Sequence, residues 1–171
     1  MRTNSKGSVN LFVQIIYSKT DKKWIYYVEN HALTNFNVFI CKMLNNSKRI
    51  NMKTLVIGAS LKEDRYSNKA IKALRKHDIE TVAFGMRAGT VLDVDIDTEL
   101  KPYENLHTVA LYLNPKRQMD YYNYITDLKP NRVIFNPGTE NPEFYELLEK
   151  HNIAYEVACT LVLLATNQYK S

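Results

Sequence analysis

Residues 54–73, TLVIGASLKEDRYSNKAIKA, constrain the fold more than any other part of this chain. The apolar run Leu55, Val56 and Ile57 stops at Gly58-Ala59-Ser60. A polar loop with Arg65, Tyr66 and Ser67 follows, and then Ala70, Ile71 and Leu74 recur at helical spacing. A short apolar run closed by glycine and followed by a 3.6-residue period reads as strand, tight turn and helix. That is the opening unit of a doubly wound α/β domain, in which ligands sit where strand ends meet helix starts. A helix start offers unpaired N–H groups and the positive end of a dipole, which suit a phosphate.

From Lys53 onward the alternation is regular. Strands are expected at residues 54–57, 80–84, 108–113, 132–135 and 153–157, with short extended pieces near 90–92 and 94–96. Helices are expected at about 68–77, from Pro115 to the Lys129-Pro130 stop, at 142–150 and at 159–165. In the second of these Met119, Tyr122 and Ile125 are expected to point inward. Strands of four to six apolar residues alternating with helices imply a parallel sheet covered on both faces. The expected fold class is therefore α/β, a Rossmann-like doubly wound sheet in three layers.

Residues 1–51 read differently. They hold one glycine and no proline, and neither a period of two nor one of 3.6 is sustained. Apolar patches lie at 11–17, 24–28 and 38–44. This part is expected to be an irregular extension, poorly ordered or outside the core fold, with residues 52–171 forming the domain. Either it is a small accessory subdomain, or Met52 is the natural start.

The charge follows the same division. The net +5 of the 171 residues suggests a nucleic-acid partner, but residues 1–51 carry eight Lys/Arg and two Asp/Glu. The remaining fifteen and sixteen leave residues 52–171 at −1. Nucleic-acid binding is therefore not expected. Cys41 and Cys159 form neither a zinc pair nor a disulfide framework,. No apolar run approaches the length of a membrane span. The expected setting is the cytoplasm.

The polar clusters all fall at expected strand ends: Gly58-Ala59-Ser60, Gly85-Met86-Arg87, Asn114-Pro115-Lys116-Arg117 and Asn136-Pro137-Gly138-Thr139. The first lacks the further glycines of a dinucleotide fingerprint and the Gly-Lys-Ser/Thr of a Walker loop. Gly58 serves a tight turn on either view. Arg65 and Ser67 are a solvated charge and a helix cap, or with Ser60 they hold a diphosphate through charge-assisted bonds.

Four segments in this order, TLVIGASLKEDRYSNKAIKAL, YLNPKRQ, RVIFNPGTENPE and VACTLVLL, resemble the small single-domain bacterial CoA-binding proteins. Their fold is similar to the CoA-binding domain of the succinyl-CoA synthetase α subunit. The resemblance covers about residues 52–169. It implies coenzyme A as ligand, with Gly58, Ala59 and Ser60 against the nucleotide and pantetheine, and Arg65, Tyr66 and Ser67 at the phosphates. Asn114-Pro115 and Asn136-Pro137-Gly138 would border the pantetheine arm. Many relatives end the second strand in Asn-Pro, whereas this chain has Gly85-Met86-Arg87. Arg87 then offers paired donors to the 3′-phosphate, or is a solvated arginine.

Cys159 is a small buried hydrophobe, or a thiol at a strand-to-helix junction able to form a mixed disulfide with CoA. His77 and His151 close expected helices. Asp93, Asp95 and Asp97 read as a solvated edge, and Tyr121, Tyr122 and Tyr124 as helix packing. No catalytic constellation is visible. The reading is a protein that binds CoA or an acyl-CoA as carrier, sensor or buffer, without nucleic acid or membrane and with a homodimer suggested by resemblance. The alternatives are an NAD(P)-dependent oxidoreductase domain and an interaction module with a vestigial crevice.

Overall fold

The computed structural model describes residues 52–170, and the backbone alone of residues 12–18 and 23–29. The chain divides into two units, residues 1–48 and 49–171, and each is described by itself. In the first, β1 (Phe12–Ser18) and β2 (Lys23–Glu29) form an antiparallel hairpin. Two of the apolar patches are therefore strands, rich in the β-branched and aromatic residues that pleated surfaces favour. The patch at 38–44 lies outside the described residues.

The second unit runs β3 (Thr54–Ala59), α1 (Tyr66–Lys76), β4 (Thr81–Gly85), β5 (Gly89–Val91), β6 (Val94–Asp97) and β7 (Thr108–Leu111). It continues through α2 (Pro115–Gln118), a 3₁₀ turn (Met119–Tyr121), α3 (Tyr122–Asp127), β8 (Arg132–Phe135), α4 (Pro142–Lys150), β9 (Ala154–Val157) and α5 (Thr160–Ala165). Its seven strands form one sheet in the order β5-β6-β4-β3-β7-β8-β9. Six are mutually parallel. Counted along the chain, those six stand in the order 3-2-1-4-5-6, the order of the dinucleotide-binding folds.

The sheet is not wholly parallel, as the apolar runs implied. β5 folds back on β6 as an antiparallel edge hairpin, with Leu92 at φ 56° in its two-residue turn. Strand alternation sorts the core into two faces. Val56 packs with Ile71 and Leu74 of α1 and Leu163 and Leu164 of α5. Leu55 and Ile57 pack on the opposite face with Ile125 of α3 and Phe144 and Leu148 of α4. Three layers result, with the sheet in the middle.

The segment after Pro115 departs from the expected single helix. A 3₁₀ turn interrupts it and shifts the phase, so Met119 is 58% exposed and Gln118 takes the buried place at 0%. Gln118 is tolerated there because its amide is fully used. Nε2 donates to the carbonyls of Leu113 and Thr139 at 2.8 and 2.7 Å, and Oε1 accepts from Asn141 Nδ2 at 3.0 Å. His77 and His151 do close helices. The αL residues that follow are Asp78 and Asn152 rather than glycine.

Asp93, Asp95 and Asp97 lie on the edge hairpin and are paired with Arg75, Thr90 and Lys101. Among the described residues, no group of three or more His, Cys, Asp or Glu could hold a metal ion. Nor is any helix there long and apolar enough to cross a membrane.

Candidate functional site

A cleft of about 850 Å³ opens at the C-terminal strand ends. It lies where the strand order reverses between β3 and β7, the position at which open α/β sheets take ligands. Gly58 shapes its floor. Its φ is +88°, and a Cβ there would stand 2.9 Å from both the carbonyl carbon and oxygen of Tyr112. The pairing of β3 with β4 skips Gly58 as a bulge, so the first loop turns out of the sheet tightly against the end of β7. Gly85 allows a second close approach, since its Cβ would meet the Ala59 carbonyl oxygen at 2.4 Å.

The loop from β3 to α1 supplies Gly58, Ala59, Ser60, Arg65 and then Tyr66 and Ser67 to the wall. Ser60 Oγ accepts from the Lys62 N–H at 3.2 Å, and Asn68 Nδ2 holds the Ser60 carbonyl at 3.0 Å. Arg65 occupies the N-cap position of α1 but provides no side-chain cap. Ser67 is therefore inside the helix and buried, not the cap that the sequence allowed. After β4 come Gly85, Met86 and Arg87.

The loop after β7 contributes Asn114 and Arg117. Asn114 Oδ1 caps α2 by accepting from the Arg117 N–H at 3.1 Å. Pro115 sits at the first helical position, where a missing N–H costs nothing,. Alone among the residues expected at the site, it does not line the cleft.

Asn136, Pro137 and Gly138 close the far side. Asn136 is a brace: its Nδ2 donates to the Leu111 carbonyl at 3.2 Å, and its Oδ1 accepts from the Thr160 N–H at 2.8 Å. Three strand ends are thereby tied together. Cys159 and Leu161 reach the cleft from the start of α5. Tyr121, expected to be packing, also faces it, edge-on to Phe84 with ring centroids 5.5 Å apart. Its neighbour Tyr122 does pack, stacked on Phe144 at 4.3 Å.

The electrostatics are one-sided. Lys62, Arg65, Arg87 and Arg117 line the cleft, and no Asp or Glu does. Elsewhere, Lys53, Lys72, Arg75, Lys101 and Arg132 are each paired with a carboxylate. None of the four cleft cations is so paired among the described residues. Lys62 and Arg117 were missed as individuals by sequence reasoning. The signal for Arg117 was Asn114: once that residue caps a helix, the third position beyond it is fixed.

Such a donor set fits a ligand with several phosphate groups. The hydroxyls of Tyr112 and Thr160 are buried beside Cys159, close enough to each other to bear on the ionisation of the phenol. Burial pushes the Tyr112 phenol well above its ordinary pKa, so it stays a neutral hydroxyl.

A doubly wound sheet in this strand order, with a cationic cleft at its switch point, defines a Rossmann-like domain. The model of the CoA binding domain family matches residues 52–165, and the chain belongs to that family. The crystal structure of an uncharacterized protein is 44% identical, with a TM-score of 0.66 over 68% of this chain and 96% of its own. Two further structures share the fold at low identity. A hypothetical protein from Pyrococcus horikoshii OT3 is 19% identical, with a TM-score of 0.62 over 81% of this chain and 96% of its own. A Thermus thermophilus protein is 17% identical, with a TM-score of 0.59 over 77% and 97%. The curated proteins contain no match to the chain.

Proposed function

We propose that this protein binds coenzyme A or an acyl-CoA in the cleft, and carries, senses or buffers it in the cytoplasm without catalysing a reaction. The observation that carries this reading is the set of four unpaired cations, Lys62, Arg65, Arg87 and Arg117, in a cleft lined by no carboxylate. CoA presents a diphosphate and a separate 3′-phosphate, a spread of negative charge that such a set would neutralise.

Arg65, with Ser60 and Ser67, takes the diphosphate, because guanidinium–phosphate contacts are charge-assisted and frequently bidentate. Arg87, on the neighbouring strand end, takes the 3′-phosphate. Asn114 and Gly138 border the pantetheine arm. The lining holds no imidazole or carboxylate to act as a general base,, which supports a binding role. A homodimer is part of the proposal on resemblance alone.

Calorimetric titration of the full chain with CoA, dephospho-CoA, NADH and NADPH tests the reading. The expected result is saturable binding of CoA, weakened without the 3′-phosphate, with Arg87→Ala removing the difference between the two. No heat and no thermal shift with CoA, or tighter binding of NADPH, would overturn it.

A further inference from the structure

The four cleft cations are not gathered in one place. Arg87 follows β4, and Lys62 and Arg65 stand on the loop between β3 and α1. Arg117 stands on α2, just past β7. The strands β4, β3, β7 and β8 are consecutive in the sheet, so a ligand laid across their ends meets the cations in that order. With the 3′-phosphate at Arg87 and the diphosphate at Arg65, the part of CoA that reaches the β7 and β8 loops is the pantetheine arm. That arm carries no charge. Arg117 therefore faces the stretch of CoA that offers it no anion.

Its placement is firm. Asn114 Oδ1 accepts from the Arg117 N–H at 3.1 Å, and Pro115 fixes the backbone between them,. From the other side, Gln118 Nε2 ties the same turn to the carbonyls of Leu113 and Thr139. Arg117 is thus anchored between the two loops that border the arm, while its guanidinium has no hydrogen-bond or ion-pair partner among the described residues. The same cap orients the Asn114 amide. Its Oδ1 must face the backbone N–H, which leaves Nδ2 as a donor without a partner among the described residues. Asn114 and Arg117 both line the cleft. Together they offer donors and no remaining acceptor, a set that suits a carboxylate.

We propose that the ligand is a CoA thioester whose short acyl group ends in a carboxylate, and that Arg117, with the Asn114 amide, binds that carboxylate. The inference rests on the CoA reading above. The guanidinium receives both carboxylate oxygens through paired N–H donors. No Asp or Glu lines the cleft to repel the added charge. The chain must be short, because the carboxylate has to meet Arg117 within the cleft. An acyl group without a carboxylate leaves Arg117 solvated, so the site separates thioesters by the charge of the acyl group.

The test is calorimetric titration of the full chain with CoA, butyryl-CoA, malonyl-CoA and glutaryl-CoA. At least one of the two carboxylated thioesters should bind about tenfold tighter than butyryl-CoA, the size of one charge-assisted contact. In Arg117→Ala that difference should shrink to within about twofold, whatever loss all four ligands share. Equal affinity of the unaltered chain for the three thioesters overturns the inference, and this comparison stands even if the variant fails to fold. A preference that survives Arg117→Ala overturns it too. So does an equal loss for CoA and the carboxylated thioesters, which would place Arg117 at the phosphates.

The same titrations separate the two levels. If CoA and butyryl-CoA bind as tightly as the carboxylated thioesters, this inference fails alone. If none of the four ligands binds, the CoA reading fails with it.

Discussion

At the scale of single residues, the cleft depends on positions where a side chain would collide or a hydrogen bond would be lost. Gly58 and Gly138 both sit at positive φ, but only Gly58 has backbone within 3 Å of where a Cβ would stand. Gly58→Ala should therefore cost the backbone strain plus a steric term, about 2–4 kcal/mol together. Gly138→Ala should cost only the strain, about 1 kcal/mol. Urea denaturation of both variants checks this, and equal losses would contradict it. Gln118→Leu keeps the volume but takes the side-chain donor from the Leu113 and Thr139 carbonyls and leaves Asn141 Nδ2 with only the Tyr122 hydroxyl. A loss of about 3 kcal/mol or more is expected from these buried groups, again read from the urea midpoint.

Hydropathy could not reveal Gln118. A buried glutamine is recognisable only from its partners, and two of its three come from 21 and 23 residues away. Arg65, Arg87 and the strand-end glycines were legible because the fold places every β-to-α loop at one end of the sheet. The unpaired state of the cations was not legible, since it depends on where the carboxylates fall in space.

At the scale of elements, the strands were readable because buried parallel strands are continuous apolar runs. Helix ends were less so. Lys129, Asn152 and Asn167 take the left-handed conformation in which glycine is usual,, so glycine counting missed these stops. Lys129→Gly should relieve the strain there and gain about 0.5–1 kcal/mol, net of the added chain entropy. Thermal unfolding of the variant measures it.

Two titratable groups at opposite ends of the sheet, His107 before β7 and Asp97 at the end of β6, predict a pH response. Burial, and then repulsion by Arg132, holds the His107 pKa below its ordinary value, about 6.5. The folded chain thus binds that proton more weakly than the unfolded one. The stability it contributes is complete above about pH 6.5 and is lost as pH falls through the lowered value. Asp97 is held below the ordinary carboxylate range by hydrogen bonds from Lys101 and then Tyr103. Its contribution is complete above about pH 4 and is lost as pH falls further. Urea midpoints from pH 8 to 3 should therefore decline in two steps, and His107→Gln should remove only the first.

At the scale of the whole molecule, the charge is divided in a way that the net value conceals. Residues 52–171 sum to −1, yet four unpaired cations face one cleft. Affinity for CoA should accordingly fall several-fold between 0.1 and 1 M salt, as the screening length shrinks from about 10 to about 3 Å. Calorimetry across that range tests it, and affinity independent of salt would remove the cations from the account.

Tyr169 sets the physical limit of the domain. It is 1% exposed, its hydroxyl lies 2.7 Å from Thr54 Oγ1, and its carbonyl accepts from Arg132 at 2.5 Å. The family match ends at residue 165, four residues too soon to include it. The central strand β3 therefore stays incompletely locked until the segment that carries Tyr169 has docked against it. A protein engineer trimming at the family boundary would remove the residue that fastens the sheet.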